Sequence, residues 1–433
     1  MTPAPDRASL ANPAMLAALA LLAAAALIAA QFVAVIALSA DLKALWVAGQ
    51  FWEMGRPDQV YPAPGPLFTM TPPDAWAGWL RDEHGYTGEI YPYLYPPLWA
   101  VLTAFVAGPS FEPFAAAMLW INSALVAGTV ALAIRATGAA LNPLLHAALA
   151  LAIFALAPVV VVALAQGQPQ ILVSFLTVLA IERARADAQI AAGAALGVAA
   201  AMKLFPAVYV VFWIARGEWR AVASFAVTGA VLAALSIAFA GWALHADFLA
   251  NVAQVGRTIL VTGAALNIDA ILSQLFFADA LTQVTAGFDV PGDTEPAYWY
   301  VMARPGLWSA LENAGLLALL AGFGLAARRA SVEVLYAALW PAALILTVLL
   351  SPIGWIYYVI PAAAFSPVLI ARLGWAAGGA VWFAGAFAIY AVYFGFVQEI
   401  TAVPMPKPFF TVAGVAIWAA GFLVAATRGR ARG

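Results

Sequence analysis

The sequence contains no cysteine and only three histidines, His84, His146 and His245, at unrelated spacings. Disulfides and thiol chemistry are therefore excluded, and a histidine-based metal site is not expected. Charge is scarce as well. Only 9% of the 433 residues are Asp, Glu, Lys or Arg, against roughly 25% in soluble domains. No basic patch is available to hold nucleic acid. What fills the chain is hydrophobic, 65% of it, in several runs long enough to cross ~30 Å of hydrocarbon. The expectation is one integral membrane domain over 1–433, with no soluble domain. The first run, 14–38, is too long for a signal-peptide core, lacks a strongly basic start and has no clear cleavage site, so it reads as a retained helix.

Arginines fall in short clusters between apolar runs: Arg135, Arg183 with Arg185, Arg216 with Arg220, Arg328 with Arg329, Arg372, and Arg428 with Arg430 and Arg432. The positive-inside rule assigns these loops to the cytoplasm. Successive clusters must then be separated by an even number of crossings. That parity makes 96–108, about 20 Å long as a helix, a re-entrant helix rather than a span. It also splits the apolar stretch before RGEWR into two short helices, 188–202 and 206–215, interrupted by Lys203 and Pro206. Broken helices of this kind are tolerated where they line a cavity. The predicted fold is an all-α polytopic membrane protein, a bundle of about twelve transmembrane helices with both termini cytoplasmic. Two large outer loops are expected: 39–112, with an amphipathic and a re-entrant helix, and 242–304, carrying DVPGDTEP; the later QEITAVPMPKP is also placed outside. No internal repeat is visible, which disfavours a transporter of the repeat type.

With this topology Asp41, YPYLYPPL (91–98), Gln166 and Gln168 of QGQPQ, Lys203, Ser351 and Trp355 all map to the outer face. Each has a plain structural explanation beside a chemical one. Asp41 suits a helix N-cap, or a base taking a proton from an attacking hydroxyl. Lys203, the only charge between Asp187 and Arg216, suits snorkelling, or a point-charge partner for a phosphate. The tyrosines and prolines of YPYLYPPL suit a rigid aromatic belt. QGQPQ suits a tight turn, though its glutamines can bond hydroxyls or phosphate oxygens. Asn122 suits a contact between helices.

Taken in order, D-x₇-G-x₅-G-x₅-Y from Asp41 through Gly49, Gly55 and Tyr61, YPPL at 95–98, Trp120 and Asn122, GQPQ at 167–170, K-x-x-P at Lys203–Pro206, RGEWRA and SPIGW at 351–355 resemble glycosyltransferase family 87. That family belongs to the polytopic C-type enzymes that use lipid-phosphate sugars. The resemblance implies a hexosyltransferase of the plasma (inner) membrane with a periplasmic active site and Asp41 as the catalytic residue. It implies a polyprenyl-phosphate sugar, with mannose the family default, as the donor, and a glycolipid or glycan hydroxyl as the acceptor. Substrate contacts are then expected from Lys203, Gln166, Gln168, Tyr95, Tyr61, Trp355, Tyr357 and Tyr358. Inverting single displacement onto an already anionic leaving group calls for no metal or other cofactor. The chain departs from the pattern after SPIGW, where relatives carry histidines and it has Tyr357 and Tyr358. A polytopic transporter or lipid flippase, and an inactive partner in an envelope-polysaccharide complex, are the competing readings.

Overall fold

A computed structural model of the protein describes Ser9 and residues 12–36, 39–63, 65–86, 88–157, 159–285, 288–289, 298–391 and 403–430. It is mostly helical. In chain order the helices are α1 (Pro13–Ile36), α2 (Ala40–Glu53), α3 (Asp74–His84), α4 (Pro97–Val106), α5 (Phe111–Ala136), α6 (Pro143–Leu156), α7 (Val159–Ala165), α8 (Gln170–Arg185) and α9 (Gln189–Met202). A 3₁₀ turn at Phe205–Tyr209 leads into α10 (Val210–Arg216), followed by α11 (Trp219–Gly256), α12 (Ile268–Phe276) and α13 (Gly306–Arg329). Then come α14 (Val332–Val334), a π turn at Leu335–Leu339, α15 (Trp340–Leu349), a 3₁₀ turn at Ile356–Val359, α16 (Ile360–Phe365), α17 (Val368–Leu373), α18 (Trp375–Ala391) and α19 (Lys407–Arg430).

Among the described residues, six helices are long and apolar enough to cross a bilayer: α1, α5, α11, α13, the stretch from α14 through α15, and α19. The pair α6 and α7, bent by 66°, would make a seventh. Twelve crossings would need the remaining short apolar helices to cross as well. The helix expected at 96–108 is α4, which begins on the Pro96-Pro97 pair as a fixed-φ start favours and has only ten residues. The single run expected at 143–165 is instead two helices, α6 and α7.

Gly193 and Gly197 on α9 face α11 so closely that a Cβ would lie 2.2 Å from the Ala221 carbonyl oxygen and 2.9 Å from Thr228 Cβ. This is the small-residue spacing that lets membrane helices approach. The stretch from α14 through α15 is buried over most of its length, whereas little of α11 is buried. α11 therefore offers its apolar surface outward, which water would not tolerate and lipid does.

Two features depart from an all-helical fold with plain outer loops. First, α11 does not end where the second loop was expected. Gly241 takes φ 77° and ψ 159°, a conformation open to glycine, and the chain re-enters helix through Gly256. Second, 258–303 carries a three-stranded antiparallel sheet. Its strands are β2 (Thr258–Val261), β3 (Thr282–Thr285) and β5 (Tyr298–Ala303), with β5 central. A two-stranded pairing joins β1 (Glu89–Ile90) to β4 (Phe288–Asp289). DVPGDTEP lies almost wholly outside the described residues, as do the first five residues of QEITAVPMPKP.

The two segments expected as outer loops are joined to each other. β1 pairs with β4, Phe68 N donates to Thr258 Oγ1 at 3.0 Å, and Gln254 Nε2 donates to the carbonyls of Gly65 and Leu67 at 3.0 and 2.9 Å. Tyr91 also stacks on Trp299. They therefore occupy one end of the bundle. The arginine clusters gather elsewhere: Arg135 and Arg183 both pair with the buried Glu182, and Arg216 donates to the Ala327 carbonyl, beside Arg328. α8 separates the two groups, running from Gln170, the last residue of QGQPQ, to Arg183 and Arg185. Its 16 residues span about 24 Å.

Candidate active site

Asp41 lies in the first turn of α2. It is not the N-cap; Ser39 holds that position and makes no side-chain cap. The start of α2 is instead fixed by the QGQPQ turn. Ser39 N donates to the Ala165 carbonyl at 2.8 Å, Leu42 N to the Gln166 carbonyl at 3.1 Å, and Ala40 N to Gln166 Oε1 at 3.3 Å. The turn can come this close because Gly167 sits at φ 63°, with Leu42 Cβ only 2.6 Å from where a side chain would begin. Gln166 therefore positions the helix that bears Asp41.

Gln168 is the hub beside it. It favours the charged form of the Asp41 carboxyl, accepts from the Tyr95 hydroxyl at 3.2 Å and donates to the Tyr357 hydroxyl at 2.9 Å. Its side chain is buried, and each of these partners satisfies part of its amide. Tyr95 is placed from the other side, where the Tyr61 hydroxyl donates to the Tyr95 carbonyl at 2.6 Å. Tyr61 thus supports Tyr95 and lines a neighbouring groove rather than the cavity at Asp41.

Lys203 follows α9 in extended backbone, φ −157° and ψ 122°. The end of α9 is pinned by Trp99, whose indole Nε1 donates to the Met202 carbonyl at 2.7 Å. The Lys203 ammonium lies 4.2 Å from the centre of the Tyr358 ring and 5.4 Å from that of Tyr95. Ring faces attract cations, so both tyrosines hold the charge where it is. Phe205 stacks on Tyr358 and fixes its plane. Trp355 is laced to the segment before α12, through Leu266 N to the Gly354 carbonyl at 2.7 Å and Ile356 N to the Ala264 carbonyl at 3.0 Å. Behind SPIGW, Arg304 is buried against Asp269 and Glu312 and reaches the Pro352 carbonyl, a network that fixes the loop.

Asp41, Lys203, Tyr95, Trp355, Tyr357 and Tyr358 all line one cavity of about 150 Å³. Burial pushes the Asp41 carboxyl up from 3.8 to about 6, partly offset by the Gln168 hydrogen bond and the Lys203 charge. Such a group is ionised near neutrality yet holds a proton readily, as a general base requires. A second, mostly apolar cavity of about 380 Å³ shares Lys203 and Tyr358 with the first and runs past Leu204, Phe205, Val208 and Leu316.

The sequence profile of glycosyltransferase family 87 matches residues 93–352. The chain belongs to glycosyltransferase family 87. It is accordingly a membrane glycosyltransferase rather than a transporter or flippase. The matched stretch of this family 87 member contains Tyr95, Gln166, Gln168 and Lys203 and ends at Pro352. Asp41 and Tyr61 precede it, and Trp355, Tyr357 and Tyr358 follow it, so these five stand on geometry. No curated protein matches the chain.

The cavity also has a wall that the sequence did not announce. Phe248, Asn251, Val252 and Val255 enter it from the second half of α11, and Met70 from the first segment. The spacing of 248, 251, 252 and 255 is one face of a helix, a signal present in the sequence. Asn122, expected to bond a neighbouring helix, is buried with neither amide atom paired among the described residues.

Proposed function

We propose that the protein transfers a hexose, mannose by family default, from a polyprenyl-phosphate sugar to an acceptor hydroxyl, with inversion. One observation carries this reading: a carboxylate of raised proton affinity and an isolated cation share one cavity. Asp41 takes the proton from the acceptor hydroxyl. The acceptor oxygen forms its bond to the anomeric carbon as the bond from that carbon to the phosphate oxygen breaks. Polyprenyl phosphate leaves with the electron pair, and the anomeric configuration inverts. Lys203 is the fixed positive charge for the departing phosphate, and such preorganised charge stabilises a transition state without reorganising. Gln168 and Tyr357 hold Asp41 and the sugar in register. Tyr357 and Tyr358, in place of the family's histidines, contribute hydroxyls and ring faces but no charge.

The apolar cavity that begins at Lys203 and Tyr358 supports a lipid donor, since it continues a phosphate subsite with a hydrocarbon-lined one. The arginine clusters, a helix length from Asp41, support a periplasmic site with cytoplasmic termini by the positive-inside rule. Purified protein offered a polyprenyl-phosphate hexose or the corresponding nucleotide hexose, each with a glycan acceptor, tests the donor. Release of polyprenyl phosphate with transfer from the lipid donor alone is expected; transfer from the nucleotide sugar alone would overturn the reading.

A further inference from the structure

One polar atom on the Asp41 cavity has no part in the scheme above. Asn251 is 3% exposed and lines that cavity together with Asp41, Lys203 and Tyr95. Its Nδ2 donates to the Asp247 carbonyl one turn earlier at 3.0 Å, whereas its Oδ1 has no partner among the described residues. Turning the amide over would bring Oδ1 against that carbonyl, two acceptors facing each other, so the chemistry fixes the assignment. The result is a buried acceptor, on a residue that lines the cavity, lacking a donor. Buried polar atoms are rarely left in that state.

The surroundings narrow what can supply the donor. Phe248, Val252 and Val255, on the same face of α11, are apolar. The Tyr95 hydroxyl already donates to Gln168. A phosphate at Lys203 would be an acceptor itself and could not satisfy Oδ1. A pyranose fits both halves of this wall, with hydroxyls that donate and a C–H surface that packs on apolar side chains.

We propose that Asn251 Oδ1 accepts a hydrogen bond from one ring hydroxyl of the sugar bound beside Asp41, and so selects for that hydroxyl. This rests on the glycosyl-transfer reading for the identity of the ligand, not for the orphaned acceptor. The hydroxyl belongs either to the hexose being transferred or to an acceptor sugar, and two series of ligands separate these. Wild type and Asn251→Leu, which has similar volume and no acceptor, are titrated with polyprenyl-phosphate hexose and its monodeoxy analogues, and separately with the acceptor and its monodeoxy analogues. Binding is the readout, with turnover as a second.

Wild type should disfavour one monodeoxy analogue by at least about tenfold, the effect of leaving a buried acceptor unpaired. In N251L that discrimination should fall below about twofold at the same position and persist at the others. Both proteins should bind the deoxy compound alike, which separates lost recognition from a damaged fold. An effect in the donor series assigns the transferred sugar, and one in the acceptor series assigns the acceptor. Equal discrimination by both proteins at every position, or none by wild type, would overturn the proposal and leave Oδ1 to a bound water. If wild type binds these compounds but transfers nothing, the proposed function fails while the binding series still decides the role of Asn251.

Discussion

Asp41→Asn separates what the carboxylate does for chemistry from what it costs the fold. Burial lifts the Asp41 pKa from 3.8 to about 6. A folded-state value above the unfolded one means that the folded protein holds the proton more tightly. Below about pH 4 the carboxyl is protonated in both states and nothing is lost. Between about 4 and 6 the unfolded chain ionises first, and stability falls as pH rises; above about 6 the loss is complete. A rise of roughly two units, at ~1.36 kcal/mol each, sets a ceiling of about 3 kcal/mol. Asparagine has the same shape and no charge in this range. Purified D41N should therefore melt a few degrees above wild type near pH 7.5, and the two should converge towards about pH 4. Melting curves in one detergent across that range are the assay, read as apparent midpoints at a fixed heating rate. A variant that melts lower than wild type near pH 7.5, or by a margin that ignores pH, would refute the reasoning. Asp41 would then be a stabilising ion-pair partner rather than a strained functional group.

Two further substitutions probe its neighbours. Lys203→Met keeps the stem and removes the charge. The acid limb of the turnover profile should move up by about one pH unit, as loss of a nearby cation allows, and donor affinity should fall; an unchanged limb and affinity would mark Lys203 as a snorkelling residue. Gly167→Ala forces a side chain into a left-handed backbone and to within 2.6 Å of Leu42 Cβ. A loss of about 2–4 kcal/mol in stability is expected, with a larger proportional loss of transfer because α2 shifts; a variant with wild-type melting and turnover would show that the turn does not place Asp41.

The parts of this site that were legible in the sequence are those where a polar residue is out of keeping with its surroundings. Lys203 stands alone in an apolar stretch, and Asp41 and QGQPQ interrupt long hydrophobic runs. Parity of the arginine clusters drew them to one end, where Asp41 and Lys203 line one cavity and Gln168 bonds two of its tyrosines. What was not legible is the difference between touching a ligand and holding something that does. Tyr61 and Gln166 were expected as contacts; in the structure they support Tyr95 and the start of α2. Asn251 stayed hidden because the helix was expected to end near Gly241, which made the stretch beyond it look like loop. The sheet was missed for a similar reason. TILV, TQVT and YWYVMA are β-branched and aromatic runs of strand length, but the surrounding helices argued for an all-α chain.

In the proposed reaction Asp41 drives a single, inverting displacement of a lipid phosphate. The anomeric configuration of the product, read by NMR after transfer from a polyprenyl-phosphate hexose of known configuration, tests it most directly. Wild type is expected to give the opposite configuration and D41N no product. Retained configuration, or product formed by D41N at near-normal turnover, would contradict it.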